Sequence, residues 1–235
     1  MKTQRTILIA LATILLASCV GNTSKLQLTY DHPERYSMGD ATIEQTVHKI
    51  SIDWYEGLVS IRHGDAFRIS EESDSALTDS LRMRYFLDGD GELKIRYCQS
   101  GSYRHEQLRN LNKWLKIEVP RDVRLDEIDI DMVGNMLTID SVWCHELNVN
   151  AVNVAATLHY VTLPDEIDLD GVNTTLRLYV PPTAGLTIDM DAVNTSLDSE
   201  LPVRKEGKKT TIVGDGRCQV DIDAVNGEVY INEIK

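Results

Sequence analysis

The segment Ile167–Leu178, with the sequence IDLDGVNTTLRL, indicates the fold because variants of it recur along the chain. Its first four residues alternate between apolar and polar, as in a strand with one buried face. The central D-G-V-N is turn-prone, since Asp and Asn side chains bond to the nearby backbone and tolerate left-handed conformations. Apolar residues at alternate positions follow. The segment therefore predicts a short strand, a bend and a second short strand.

The twelve-residue pattern has five further copies, of which the first is the most divergent. They begin at Ile50, Ile128, Leu147, Ile188 and Val220. The four starts from 128 to 188 are 19, 20 and 21 residues apart, and the last step is 32 because a charged insertion, Arg204–Lys209, intervenes. A period of about 20 residues is typical of a β-solenoid, in which each repeat buries its apolar face against its neighbours. We expect an all-β fold with a β-solenoid or β-helix-like stack of repeats, and a β-sandwich or meander as the alternative.

Equivalent positions of the repeats favour stacked coils over a meander. Valine holds one position in five copies, at Val133, Val152, Val172, Val193 and Val225. Asparagine follows it directly in four, at Asn153, Asn173, Asn194 and Asn226. Coils stacked in register place equal positions about 4.8 Å apart, whereas the antiparallel neighbours of a meander do not align them. The pattern predicts an inward valine column and a hydrogen-bonded asparagine ladder.

The N-terminal half of the folded region is also β, but less regular. Met83–Cys98 predicts a hairpin, because alternating residues flank the turn-forming Asp88–Gly91. Trp114–Pro120 predicts a strand that ends at a residue unable to donate to a ladder, and Tyr103–Leu111 allows one or two helical turns. No change of composition divides residues 41–235. We therefore expect these residues to form a single repetitive all-β domain.

The chain opens with the pattern of an export signal. Lys2 and Arg5 precede an apolar run, Ile7–Ala17, and small residues follow before a break. The run is too short for a membrane-spanning helix, which needs about 20 apolar residues. We expect residues 1–18 to be a signal peptide that is removed on export.

The residues at the expected cleavage point predict a lipid anchor. Leu16–Cys19 resembles the bacterial lipobox, in which the cysteine is acylated and becomes the first residue of the mature protein. We expect Cys19 to attach the chain to a membrane through acyl chains such as palmitate, and residues 19–40 to form an irregular, lipid-proximal tether. An ordinary secretory signal that contains a cysteine is the alternative. Either case predicts an exported protein, and the lipobox predicts the bacterial cell envelope.

The acidic balance of the chain excludes several classes of partner. A formal charge of −13 and a pI of about 4.8 argue against nucleic acid, whose phosphates need a basic face, and against electrostatic docking onto anionic lipid. Much of the charge recurs with the repeat. One column would contain Asp129, Asn148, Asp168, Asp189 and Asp221, and a second Asp131, Asn150, Asp170, Asp191 and Asp223.

Stacked carboxylates repel one another, which leaves two interpretations of the columns. Calcium, which takes several oxygen ligands, is a weak possibility. Its candidate ligands are Asp131, Asp170, Asp191 and Asp223. The plainer interpretation is a solvated outer face. No other metal site or cofactor is indicated.

No pattern of the chain indicates catalysis. The sequence contains no G-x-S-x-G, no Gly-rich phosphate loop and no H-E-x-x-H, and acids that recur in every repeat are architecture and not one site. Besides Cys19, the chain contains three cysteines, Cys98, Cys144 and Cys218, so at most one disulfide can form among them. We expect them to be buried as small apolar residues.

Several segments resemble one known family. The run that begins at Tyr36, together with Ile50–Trp54, Gly57–Ile61, Lys116–Pro120 and Val225–Ile231, is similar to a bacterial domain family of putative adhesins whose biochemical function is unknown. The resemblance covers essentially the whole mature chain. It implies a repetitive β-architecture and an envelope protein that is often membrane-attached, and it carries over no functional residue.

These observations together predict a non-catalytic surface lipoprotein. Its repetitive β body would serve adhesin-like binding or scaffolding, with a protein or a glycan as ligand. An envelope-stress or signalling accessory that binds another envelope protein is the alternative, and a polysaccharide-active β-helix enzyme is the third hypothesis.

Overall fold

The computed structural model describes residues 25–234, and these residues form an all-β fold, as the sequence predicts. The N-terminal part contains β1 (Lys25–Leu28), β2 (Ser37–Met38), β3 (Ala41–Thr42), β4 (Lys49–Tyr55), β5 (Leu58–Gly64), β6 (Arg68–Ser73), β7 (Arg84–Leu87), β8 (Glu92–Arg96), β9 (Gly101–Arg104) and β10 (Lys113–Pro120). The repeats form β11 (Leu125–Asp140), β12 (Cys144–His159), β13 (Glu166–Val172), β14 (Thr175–Val180), β15 (Leu186–Ser199), β16 (Val203–Glu206), β17 (Thr210–Val213) and β18 (Cys218–Glu233). A 3₁₀ turn, Pro33–Arg35, and one short helix, α1 (His105–Arg109), complete the described elements.

The long repeat strands pair in parallel and in register, so equivalent residues of different copies lie side by side. β11 pairs with β12, β12 with β13 and β14, these two with β18, and β18 with β15. Leu147, for example, lies between Ile128 and Ile167. On the other side of β11, β4 and β5 supply the copy that begins at Ile50. Equal positions are therefore aligned, as a meander would not align them.

The spatial order of the copies differs from their order in the chain. The last copy, β18, lies between the β13–β14 copy and β15, so the stack is not strictly sequential. The insertion Arg204–Lys209 lies at this edge, where it forms most of β16 and the turn of the hairpin β16–β17, and β17 pairs antiparallel with the start of β15. A following copy is thereby excluded from the first half of that edge. The β-solenoid is not confirmed by this topology, although the parallel pairing of the repeats is present.

The bends between paired half-strands are built from left-handed residues. All four predicted ladder asparagines have φ between 54° and 57°. The first copy lacks this asparagine and bends at Glu56 and Gly57, with φ of 62° and 98°. Any side chain at Gly57 would collide with the backbone of Lys113, since a Cβ there would lie 1.9 Å from the Lys113 carbonyl oxygen. Glycine is thus required where β4 turns into β5 against β10.

The irregular N-terminal half follows the sequence predictions closely. β7 and β8 form the expected antiparallel hairpin, whose turn is held by Asp88, because its carboxylate accepts the amides of Asp90 and Glu92 at 3.0 Å each. The strand predicted from Trp114 to Pro120 is β10, and α1 lies in the segment that allows a helical turn.

The predicted tether is wrong for residues 25–38. β1 pairs antiparallel with β9 and β2 with β7, and the alternating Leu26 and Leu28 pack against the core. The Tyr30 hydroxyl fixes this segment further, since it donates to the carbonyl of Cys98 at 3.2 Å and accepts the amide of Ser100 at 3.1 Å. The signal peptide, Cys19 and residues 19–24 of the expected tether lie outside the described residues.

One continuous apolar core runs through the described residues. It contains the inward positions of every copy and the three thiols, Cys98, Cys144 and Cys218, which are buried and free as predicted. The inward valine column is wrong at Val193 and Val225, which are 61% and 43% exposed, whereas Val152 is buried at 3%. In β15 and β18 the inward positions alternate up to Ala192 and Ala224, so the valine that follows points outward.

A buried ion pair joins three segments of the N-terminal half. Lys113 Nζ lies 2.8 Å from Glu71 Oε2, and the two side chains are 0% and 1% exposed. The ammonium also donates to the carbonyls of Leu81 and Tyr97, and Glu71 Oε1 accepts the amide of Met83 at 2.9 Å. Burial lowers the pKa of Lys113, and the carboxylate opposes this effect. The pair therefore ties β6 and β10 to the chain on both sides of β7 and β8.

Breaking this pair is expected to destabilise the fold strongly. Lys113→Met removes the buried cation and leaves the Glu71 carboxylate only the more distant Arg82, whose Nε lies 3.6 Å from Glu71 Oε1. This loss should lower the free energy of unfolding by about 3–5 kcal/mol. Glu71→Gln keeps an acceptor for the Met83 amide and removes the negative charge. The double variant should therefore be about 0.5–3 kcal/mol more stable than the sum of the two single losses predicts. Urea denaturation of the wild type, both single variants and the double variant measures this. Strictly additive losses would show that the two groups are not coupled.

Candidate functional site

An acidic face covers the outward side of the first half-strands of the repeats. The register places the two predicted carboxylate columns next to each other along β11, β12, β13, β18 and β15. Glu127, Glu146 and Glu166 add a third column on the same strands. Asp53 of β4 extends the second column, because it is paired with Asp131. The result is a broad negative surface, which we call the acidic face.

Amide and ammonium groups within the acidic face separate many of its carboxylates. Asn148 donates to Glu127 and Glu146 at 3.1 and 2.8 Å. Gln219 donates to Asp189 and Asp221 at 3.1 and 2.8 Å. These bonds show how side-chain amides at equivalent positions relieve the repulsion of stacked acids.

Basic residues pair with the acidic columns at their edges. Arg96 Nε lies 3.1 Å from Asp53 Oδ2 at one end, and Lys209 Nζ lies 2.6 Å from Asp191 Oδ2 at the other. Lys49 lies 2.9 Å from Glu127 along the first glutamate column. The negative charge is therefore least compensated in the middle of the stack.

Repulsion remains between β13 and β18, where no side-chain amide among the described residues donates to Asp168, Asp170 or Asp223. Asp168 pairs directly with Asp221, and Asp170 with Asp223. Burial raises the pKa of Asp168 to about 6, and the carboxylate of Asp221 raises it further. Burial and the neighbouring Asp131 likewise raise the pKa of Asp129 to about 6. The acidic face thus holds protons more tightly than ordinary aspartates do.

The calcium candidates do not converge on one site. Asp131 accepts the amide of Asn150 at 2.8 Å and Asp191 contacts Lys209, while Asp170 and Asp223 are neighbours in one column. Across residues 25–234, no three His, Cys, Asp or Glu side chains are grouped so as to hold a metal ion. The contacts that the described residues make to the columns come from side-chain amides and ammonium groups.

The predicted asparagine ladder runs along the bend of the stack. Asn173 donates to Asn153 at 2.9 Å, Asn226 to Asn173 at 3.2 Å, and Asn194 to Asn226 at 3.2 Å. The rungs follow the spatial order of the strands, so Asn226 lies between Asn173 and Asn194. Each side chain is exposed, while its backbone holds the left-handed bend. The ladder thus serves the architecture, and it also displays a row of amides to solvent.

A cavity of about 320 Å³ lies at the end of the acidic face near β1 and β4. Its walls include Trp54 and Tyr97, whose rings meet edge to face with centroids 5.0 Å apart. The ion pair of Asp53 and Arg96 and the carboxylate of Asp131 border it. This cavity has no signal in the sequence, because Trp54 comes from a separate segment of the chain from Tyr97 and Arg96 and shares no motif with them.

Comparison with known proteins identifies the fold. No protein-family model matches the chain, and no curated protein matches it. A putative cell adhesion protein from Clostridium sporogenes has a similar structure, with a TM-score of 0.68 and 16% identity over 85% of this chain and 100% of that chain. The chain has the fold of this protein. The predicted resemblance to putative adhesins is therefore confirmed at the level of fold.

A second structure is more distant. The putative adhesin from Bacteroides fragilis gives a TM-score of 0.34 at 12% identity, over 86% of this chain and 98% of that chain, which is too low to establish a shared fold.

As to membrane insertion, none of the helices among the described residues is long and apolar enough to cross a bilayer.

The ladder and the left-handed bend make separable contributions to stability. Asn173→Ala removes two ladder bonds and places alanine, which tolerates the left-handed conformation less well than asparagine, at φ 54°. The free energy of unfolding should fall by about 1–2 kcal/mol. Asn173→Gly removes the same bonds but keeps the bend, so its cost should be smaller. The control is Asn135→Gly, since Asn135 has φ of 65° but lies outside the ladder. Equal losses for the two Asn173 variants in thermal denaturation would contradict this separation.

The unrelieved carboxylates should make the fold more stable at acidic pH. The pKa of Asp168 is raised to about 6 in the folded protein. The stability that its protonation contributes is therefore fully present below the ordinary aspartate pKa and is lost as pH rises through 6. Asp168→Asn should therefore raise the Tm by about 1–3 °C at pH 7.5 and leave it unchanged near pH 4. Asp126→Asn, an exposed position outside the columns, is the control. A pH-independent gain would show that charge repulsion is not the cause.

Proposed function

We propose that this chain is an exported, lipid-anchored protein of the bacterial cell envelope whose β body binds a partner without catalysing a reaction. One observation carries the proposal. The polar groups that the repeats display are spread along columns of parallel strands, whereas catalysis needs a few groups that converge on one reacting bond. Such an extended, repeated face suits adhesion or scaffolding.

The fold supports the adhesion class at a coarse level. The protein from Clostridium sporogenes that shares it is described as a putative cell adhesion protein, and we extend that description to this chain as part of the proposal. A solenoid-like stack, in which the parallel copies form successive coils, is the architecture that we propose for the repeats, with the last copy inserted out of sequence order. Such a stack displays one surface many times over.

The proposed anchor and the acidic face have complementary roles. The charge of the chain becomes −15 once Lys2 and Arg5 are removed with the signal peptide, because 22 basic residues then face 37 acidic ones. A body of that charge is repelled by anionic lipid, so acyl chains on Cys19 are the attachment that the proposal requires. Repulsion would hold the binding face away from the membrane to which the chain is anchored.

The lipid anchor is tested by Cys19→Ala in the bacterial host. We expect the variant to leave the membrane fraction, or to accumulate with its signal peptide uncleaved, because the acyl chains supply the membrane affinity. Fractionation and the intact mass of the mature protein provide the readout. Normal mature mass together with unchanged membrane partitioning would disprove lipidation at Cys19.

Binding without turnover is tested with immobilised mature protein and panels of host glycans, polysaccharides and envelope proteins. We expect retention of a ligand that is recovered chemically unchanged, as judged by mass spectrometry. Replacing Asp168, Asp170, Asp221 and Asp223 by Asn should weaken retention, whereas Asp126→Asn should not. Release of a cleaved product would make the protein an enzyme, and failure to retain any ligand would disprove the adhesin-like role.

A further inference from the structure

The strand β15 ends the stack with an edge that is only partly covered. β18 pairs with it along its whole length from Leu186 to Ser199. On the opposite side, β17 pairs only with residues 186–189, and the last bond runs from the amide of Met190 to the carbonyl of Lys209. Within the described part of the chain, no strand pairs with that side of residues 191–199. We call this stretch the open edge.

The core beneath the open edge is incompletely closed. The inward Leu197 is only partly buried, whereas its counterparts Leu137, Leu176 and Val229 in other copies are 0%, 0% and 3% exposed. Val193, at the bend, points outward like its counterpart Val225 but is more exposed, at 61% against 43%. Stacked repeats need a capping element at their ends, and the hairpin β16–β17 supplies one for only the first half of β15.

The backbone of the open edge has free pairing capacity. The amide of Glu200 points toward β18, since it donates to the carbonyl of Ile231 at 2.9 Å, and successive residues of a strand point to opposite sides. The amides of Thr195, Leu197 and Ser199 therefore face the open side. That of Ser199 is bound by the side chain of Asp198 at 2.9 Å, which leaves those of Thr195 and Leu197 available to a further strand.

The charge of the open edge indicates what kind of strand would cover it. Asp191, Asp198 and Glu200 lie along it and are exposed. The strand that already covers the first half is preceded by Lys208 and Lys209, and Lys209 Nζ lies 2.6 Å from Asp191 Oδ2. The protein thus closes one half of this edge with an antiparallel strand of its own, which two lysines precede. A second copy of the chain is a poor occupant, because it would bring two sets of these carboxylates together.

We propose that the open edge binds an extended, lysine- or arginine-rich segment of another protein by β-strand addition. This inference rests on the proposed function as a binding protein and names the partner class. The segment would lie antiparallel to residues 192–199, take hydrogen bonds from Thr195 and Leu197, cover Leu197 and Val193, and pair its basic side chains with Asp198 and Glu200. Main-chain bonds provide affinity in this mode of recognition, and alternate side chains provide specificity.

The test uses the detergent-solubilised mature chain and a synthetic peptide that alternates lysine with threonine and valine. Hydrogen–deuterium exchange of residues 192–199 should slow at least tenfold at saturating peptide, while residues 175–180, paired on both sides, should not change. The same peptide with glutamate in place of lysine should have no effect. Asp198→Lys should weaken binding about fivefold, and Asp126→Lys, an exposed position far along the chain, should not.

Three outcomes would overturn the inference. Binding without protection of residues 192–199 places the peptide elsewhere, and equal binding of the glutamate peptide removes the charge argument. Protection of the same residues that appears on raising the protein concentration, without peptide, makes a second copy the occupant. The proposed function is tested separately. If the immobilised chain retains a glycan or protein and Asp198→Lys does not affect that retention, the adhesin-like role stands but the open edge is not its binding site.

Discussion

Parallel, in-register pairing of equal repeat positions is the constraint on which the rest of the structure depends. Because each strand lies beside its own equivalent, every residue type is stacked on itself, and a favourable or unfavourable contact is multiplied along the stack. Inward aliphatic residues gain from this repetition, since they form one continuous core. Asparagines gain as well, because the amides of Asn173 and Asn226 each donate to one neighbour and accept from the other. Stacked carboxylates repel one another, and the acidic face shows how the sequence compensates for that repulsion.

That compensation depends on small departures from the repeat. Asn148 stands where other copies have aspartate, and Gln219 stands in the column of Glu146 and Glu166. Each donates to one carboxylate on a neighbouring strand and to one on its own strand. Where no side-chain amide of residues 25–234 donates to Asp168, which is paired with Asp221, the pKa of Asp168 rises to about 6. Imperfect repetition is therefore a condition for stacking so many acids.

The sequence predicts those features that depend on local pattern. The strands, the hairpin at Asp88 and the ladder asparagines all follow from alternation and turn chemistry. The inward valine column was wrong because the alternation that buries the preceding residues points Val193 and Val225 outward. Two features could not be derived from the sequence: the spatial order of the copies, and the packing of residues 25–38 against the rest of the fold. Both depend on pairing between segments far apart in the chain. The buried Lys113–Glu71 pair and the cavity beside Trp54 lack a sequence signal for the same reason.

The position of β18 has a consequence for how the chain reaches its final form. β18 follows both of its neighbours in the chain, yet it lies between two copies that precede it. The copy β13–β14 and β15 have no direct pairing with each other among the described strands, so these two copies cannot be joined before β18 has been synthesised. Assembly of this part of the stack is thus a closing step, in which one sixteen-residue strand is inserted between two copies made before it.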